Sequence, residues 1–212
     1  MPPRTRQALD MLAAVEHGET VSQLVLSKRI GVAVGLLNAL LKRAARKGYV
    51  KVLTVPAKRY AYYLTPKGFA EKSRLVVEYL DHSLSFFRQA RDQYEALFEG
   101  ARATGHTRIA LFGGGELAEI AVVAALNTGV VLVGVVDRST NRATLYGLPV
   151  VSRLSDLEAW DAVVLTDNRT PQVSYNELSK HISTDRLLIA EFLRISRLMP
   201  AAAASKQGPG DA

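Results

Sequence analysis

Gly113-Gly114-Gly115-Glu116-Leu117-Ala118 reads G-x-G-x-x-A, placed between an apolar run, Thr107 to Phe112, and a helical run from Glu116 to Asn127. A second apolar run, Val130 to Val136, closes on Asp137, 24 positions beyond Gly113. A strand, a glycine turn, a helix and a second strand ending in an acid can hold a dinucleotide. The first glycine permits the tight turn, and the second lets a pyrophosphate approach backbone N–H groups at a positive helix end. The acid accepts hydrogen bonds from ribose hydroxyls. A purely structural strand-to-helix turn is the other reading of the same glycines. Glu116 bears on that choice, because the helix dipole stabilises a carboxylate in the first turn, and this one can take the place of a phosphate.

Further elements are needed to position such a turn. Leu148 to Val151 reads as a third strand, and Ser155 caps a brief helix, Asp156 to Trp160. Ala162 to Thr166 is a fourth strand ending at Asp167-Asn168-Arg169. Thr170-Pro171 opens a helix to about His181, and Arg186 to Glu191 is a fifth strand. The expected fold is α/β, a small parallel Rossmann-like sheet of order 3-2-1-4-5, with the crevice where the first and fourth strands diverge. Gly113, Gly114, Gly115, Glu116 and Leu117 then face Thr166, Asp167 and Asn168, while Asp137 and Arg138 line the ribose and base end.

The charge is concentrated elsewhere. The chain of 212 residues carries a net charge of +7, yet residues 1–68 alone hold 12 Lys and Arg against 3 Asp and Glu. Residues 106–212 hold 10 against 11. A basic face confined to one domain points to a polyanion, whose counterions are released on binding. Within that domain, Arg6 to Glu16 is a short amphipathic helix. Thr20 caps a second helix, Val21 to Arg29; Ile30-Gly31-Val32 is a turn; and Ala33 to Lys47 is a third helix stopped by Gly48. Two helices joined by a short glycine-containing turn form the helix-turn-helix pattern. Tyr49 to Val55 and Tyr60 to Leu64 follow as a hairpin, a wing tipped by Lys58 and Arg59. Lys28, Lys42, Arg43 and Lys47 suit phosphates, and Asn38 suits a base edge.

With the helix-turn-helix, "RKGYV" (Arg46 to Val50) and "YYLTPKG" (Tyr62 to Gly68) in this order, the region resembles winged helix-turn-helix regulators of the MarR type. The resemblance implies a third helix in the major groove, presenting Val34, Gly35, Asn38, Lys42 and Arg43. Lys58 and Arg59 then lie over the adjacent minor groove or backbone of double-stranded DNA. The C-terminal half resembles NAD-binding and CoA-binding Rossmann domains, including those of Rex redox repressors. Through "GGGELAEIAVVAAL", "VGVVDR" and "LYGLPVVSRLSDL" it also resembles the Rossmann half-domain of nucleotide-sugar-modifying enzymes of polysaccharide synthesis. The whole order, with "SLSFFRQARDQYEALF" between the halves, looks like MarR-type regulators associated with exopolysaccharide genes. The implied ligand is of nucleotide type: a nucleotide sugar, a nucleotide or NAD(H).

Between the halves, Thr65-Pro66 opens a long helix with an N-cap hydroxyl and a proline at the first position. Phe69, Ser73, Val76, Leu80, Ser83, Phe87, Ala90, Tyr94 and Leu97 recur at spacings of four and three, a coiled-coil stripe. At 1.5 Å per residue the helix spans roughly 50 Å, too long for one small domain to bury. It reads as the spine of a homodimer; packing only on its own chain is the alternative. The expected organisation is a winged domain over 1–64, a dimerisation helix over 65–100, a Rossmann-like sensor over 101–198 and a disordered tail over 199–212.

Other functions fit less well. No cysteine exists, which excludes disulfides and thiolate metal sites, and His17, His82, His106 and His181 are scattered without ligand spacing. No apolar run approaches the ~20 residues of a membrane span. The start of the chain lacks a signal peptide's apolar stretch, so a cytoplasmic address is expected. Catalysis is not expected. Tyr175 and Lys180 fall on different helix faces, no G-x-S-x-G occurs, and few residues follow the fifth strand. A regulator whose Rossmann half has lost its ligand, and serves only for assembly, remains open.

Overall fold

The computed structural model describes residues 1–16, 20–55, 59–140 and 142–196. It divides into two compact units, Met1–Phe86 and Phe87–Ala212. Lys58 and the expected tail lie outside the described residues.

The first unit begins with α1 (Pro3–Ala14), β1 (Thr20–Val21), α2 (Gln23–Ile30) and α3 (Val34–Arg46). It continues with β2 (Val50–Val55), β3 (Arg59–Leu64) and the start of α4 (Pro66–Ala103). Thr20 is not a helix cap. It pairs with Ala61 on β3, making β1 an edge strand in the sheet order β1-β3-β2. The cap passes to Ser22, whose Oγ accepts the Val25 N–H at 3.3 Å. The chain turns by 101° between α2 and α3, through a left-handed Gly31, within the range of helix-turn-helix motifs. At the end of α3, Gly48 N–H donates to Ala45 C=O and Tyr49 N–H to Ala44 C=O, both at 2.9 Å. This Schellman arrangement delivers the chain directly into β2. Met11, Leu12, Leu26, Leu37, Leu41, Val50, Tyr62 and Leu75 form the core.

Entry into α4 is fixed by contacts between turns. Thr65 Oγ1 accepts the Gly68 N–H at 3.0 Å and donates to Gly48 C=O at 2.6 Å. Gly68 lies so close to the Tyr49 carbonyl that a Cβ there would overlap it. The "YYLTPKG" segment thus clamps helix, hairpin and α3 terminus together.

The second unit starts within α4 and adds β4 (Arg108–Phe112), α5 (Glu116–Ala125), β5 (Val131–Val136), β6 (Thr144–Leu145) and β7 (Leu148–Val151). β8 (Ala162–Leu165), α6 (Pro171–Leu178) and β9 (Leu187–Leu188) complete it. The sheet order is β6-β7-β5-β4-β8-β9, parallel except for β6. The antiparallel edge strand β6 is an addition to the five strands expected. Strand alternation splits the core: Ile109 and Leu111 pack with α4 and α5, Ala110 with Leu178 of α6. The layers are helix, sheet and helix.

Several boundaries differ from expectation. The long helix does not stop at residue 100, because α4 continues to Ala103 and Ala101 is buried in the core. No helix runs from Asp156 to Trp160. A 3-10 turn, Leu154–Asp156, stands there, and Leu154, Leu157 and Trp160 all reach the core on the α6 side of the sheet. α6 ends at Leu178 and the last strand is only two residues long, flanked by 3-10 turns at Thr184–Arg186 and Glu191–Leu193. The stripe along α4 also divides. Ala90, Tyr94, Leu97, Phe98 and Ala101 belong to the core of the second unit, and the Tyr94 hydroxyl donates to Leu165 C=O at 3.1 Å. Burial pushes that hydroxyl's pKa up. Of the stripe itself, Phe69, Leu80 and Phe87 stay 54%, 49% and 38% exposed, and Val77 and Leu84 beside it are exposed too, so the chain's own cores do not cover the face along its whole length.

Candidate functional site

In the second unit the C-terminal ends of β4, β5 and β8 converge on a cavity of about 490 Å³. Gly113, at the end of β4, has φ +110°, and a Cβ there would run into the Asp167 backbone. Its N–H donates to Val136 C=O at 2.9 Å, and its carbonyl accepts the Thr166 hydroxyl at 2.6 Å. Only glycine allows the turns after β4 and β8 to approach so closely. The sequence therefore needs Gly113 for the meeting of strand ends, whatever the cavity holds.

The turn's amides face carboxylates of this chain. Gly114 N–H donates to Asp137 Oδ2 at 2.9 Å, and Ser139 donates to Asp137 Oδ1 through N–H and Oγ, both at 2.7 Å. Burial opposes the Asp137 charge, but the bonds from Ser139 and Gly114 outweigh it and hold the carboxyl below the usual aspartate range. Glu116 is the first residue of α5. Its carboxylate accepts its own backbone N–H and the Asn168 side-chain amide, the latter at 2.8 Å, and these bonds lower its pKa.

Asp167 serves its own loop. Its Oδ1 accepts Arg169 and Thr170 N–H at 2.9 and 3.4 Å, and its Oδ2 accepts the Thr170 and Ser174 hydroxyls at 3.0 and 2.6 Å. Here too burial opposes the charge and the hydrogen bonds prevail, lowering the pKa. Arg138 pairs with Glu177 at 3.1 Å and donates to Ser152 C=O at 3.2 Å.

Gly113, Gly114, Gly115, Glu116, Asp137, Arg138, Asp167 and Asn168 all line the cavity. Leu117 and Thr166 do not. Leu117 is 4% exposed and packs in the core, because the residue after Glu116 turns inward on α5; Thr166 is buried with its hydroxyl on Gly113. Arg142 and Arg169 also line the cavity. Their sequence signal is only position, each in a loop that follows a strand's C-terminal end.

In the first unit, α3 buries Leu37, Leu41 and Ala44. Gly35, Ala39, Lys42 and Arg46 recur one or two turns apart on the opposite, exposed side. Val34 is exposed and Asn38 half-buried on one flank of that face. Arg43 and Lys47 fall on the other flank. They border a second cavity, about 460 Å³, that Arg4, Met11, Tyr49 and Arg74 also line. Lys47 Nζ lies 5.4 Å from the Tyr49 ring centroid. The expected cations are therefore not one set, and Arg46, at the centre of the outer face, joins Lys42 there. A helical count from the buried leucines is the signal that identifies it. Lys28 is exposed near the end of α2, and Arg59 opens β3, its backbone paired with Val55.

No protein-family model and no curated protein matches the chain. Among solved structures, it is similar to the PcaV transcriptional regulator from Streptomyces coelicolor in complex with its natural ligand. The two share 20% identity over 38% of this chain and 59% of that one, with a TM-score of 0.36. It is also similar to MepR, a transcription regulator of the Staphylococcus aureus multidrug efflux pump MepA, at 14% identity over 39% of this chain and 63% of that one, TM-score 0.34. A likeness to PigF with SAH extends over 88% of this chain and 55% of that one, at 12% identity and a TM-score of 0.24. The chain thus spans less than two thirds of the length of either regulator. Among the described residues, no single helix is long and apolar enough to cross a membrane.

The two sites have different chemistry. The outer face of α3 carries Lys42 and Arg46, with the Asn38 amide on one flank. The cavity is lined by three arginines and several carboxylates, and its Gly114 amide is already bonded to Asp137.

Proposed function

We propose that this chain is a dimeric, cytoplasmic transcription regulator. Its N-terminal unit binds double-stranded DNA, and its Rossmann-like unit senses a nucleotide-type ligand: a nucleotide sugar, a nucleotide or NAD(H). Genes of polysaccharide synthesis are the proposed target. The observation that carries the DNA reading is the 101° turn between α2 and α3, leading into a hairpin sheet, in the half where basic residues outnumber acidic ones. The cavity at the C-terminal ends of β4, β5 and β8 supports the ligand reading, because open α/β sheets bind ligands beyond the carboxyl ends of their strands, where the strand order reverses. The test is fluorescence anisotropy on duplex DNA across a salt series. Binding should weaken steeply with salt, and Lys42→Ala with Arg46→Ala should flatten the log–log slope by about 2, one unit for each phosphate deprived of its cation. No binding to any duplex at low ionic strength overturns the proposal.

A second reading is favoured by the carboxylates on Gly114 and Glu116 N–H. In it the Rossmann-like unit carries no ligand and serves assembly. Mass spectrometry of small molecules that co-purify with the folded protein separates the two readings.

A further inference from the structure

Arg138, Arg142 and Arg169 line the cavity and suit an anionic ligand group. Yet the position where such a group meets the first turn of α5 is filled from within. The Glu116 carboxylate stands on its own N–H, anchored at 2.8 Å by Asn168 from the loop after β8. Asp137 takes the neighbouring Gly114 N–H. A phosphate at this turn would meet both negative charges at close range.

We infer that Glu116 decides which ligand charge the cavity admits: its carboxylate holds the place of a diphosphate, and a diphosphate-bearing ligand enters only by displacing it. The inference rests on the ligand-binding reading above. Glu116 is exposed, so its side chain has open solvent to move into. Asp137 is tied down by three hydrogen bonds and stays. Displacement of Glu116 releases Asn168, and with it one tie between the turns after β4 and β8. Ligand entry is thereby coupled to the loop that leads into α6.

The test is calorimetric titration of the full chain and of Glu116→Gln with ADP, NAD and UDP-glucose, and with adenosine as a phosphate-free control. Removal of one like charge near the surface should tighten the diphosphate probes about tenfold, and adenosine binding should not change. The diphosphate that binds most tightly to both proteins identifies its source. If Glu116→Gln binds the diphosphates no more tightly than the native chain, or tightens adenosine equally, the inference falls while the ligand reading stands. If neither protein binds any probe at millimolar concentration, the ligand reading falls and takes the inference with it.

Discussion

Asp167 shows how far a residue's surroundings decide its role. By type and place it suits a ligand contact, but its two oxygens already accept three hydrogen bonds from the loop that opens α6 and one from Ser174 in that helix. Its pKa in the folded state lies below the ordinary aspartate value of 3.8. The stabilisation it provides is therefore fully present above that value and is lost as pH falls through the lowered folded pKa. Asp167→Asn should cost about 1–3 kcal/mol at neutral pH, the range for leaving a hydrogen-bond donor without its acceptor. The gap in melting temperature between native and variant should narrow as pH drops below 3.8. A gap that stays constant from neutral to acid pH would show that the charge of Asp167 does not stabilise the fold. Glu116 and Asp137 differ from Asp167 in one respect: each bonds a backbone N–H of the glycine turn, where a phosphate would compete for it.

Among the elements, α4 is held by the chain on both sides of its length. At its start, Gly68 lies against the Tyr49 carbonyl, and Thr65 ties Gly48 to Gly68. Two effects oppose each other in Gly68→Ala. Alanine gains about 1 kcal/mol of helix propensity over glycine, while an added methyl in a tight contact costs about 1–3 kcal/mol. The obstruction is a backbone carbonyl, which cannot rotate away as a side chain could, so the variant should be destabilised overall in urea unfolding. A neutral or stabilised variant would mean that α4 and the exit from α3 do not pack this closely. Towards its end, α4 buries Ala90, Tyr94 and Phe98 against its own sheet. The helix pattern is one continuous period, but what it faces changes along the way.

For the molecule as a whole, the middle of α4 presents Val77, Leu80 and Leu84, each about half exposed. Apolar side chains repeated along one helix face mark an association surface. In the proposed dimer this middle stretch pairs with a second copy, which would place two winged units on two half-sites. Leu80→Lys with Leu84→Lys should convert the dimer to a monomer in sedimentation equilibrium. The melting temperature of each unit should change little, because these side chains lie outside both cores. A double variant that sediments as a dimer would place the interface elsewhere.

The features legible in the sequence are those that neighbours in the chain satisfy. The Gly31 turn, the end of α3 at Gly48, the hydroxyl of Thr65 and the glycine turn after β4 all bind partners within a few positions or follow a strand-to-helix pattern. Their presence and order were readable for that reason. Tertiary structure alone decided that Thr20 pairs in a sheet, that α4 divides its face and that Arg43 and Lys47 leave the outer side of α3. That these turns face each other followed from the expected strand order, but tertiary structure decided the bonds made there, Asn168 to Glu116 and Gly114 to Asp137, partners 52 and 23 positions apart. No local pattern encodes such a bond, because it exists only where separate strand ends are brought together by burial of the sheet between them.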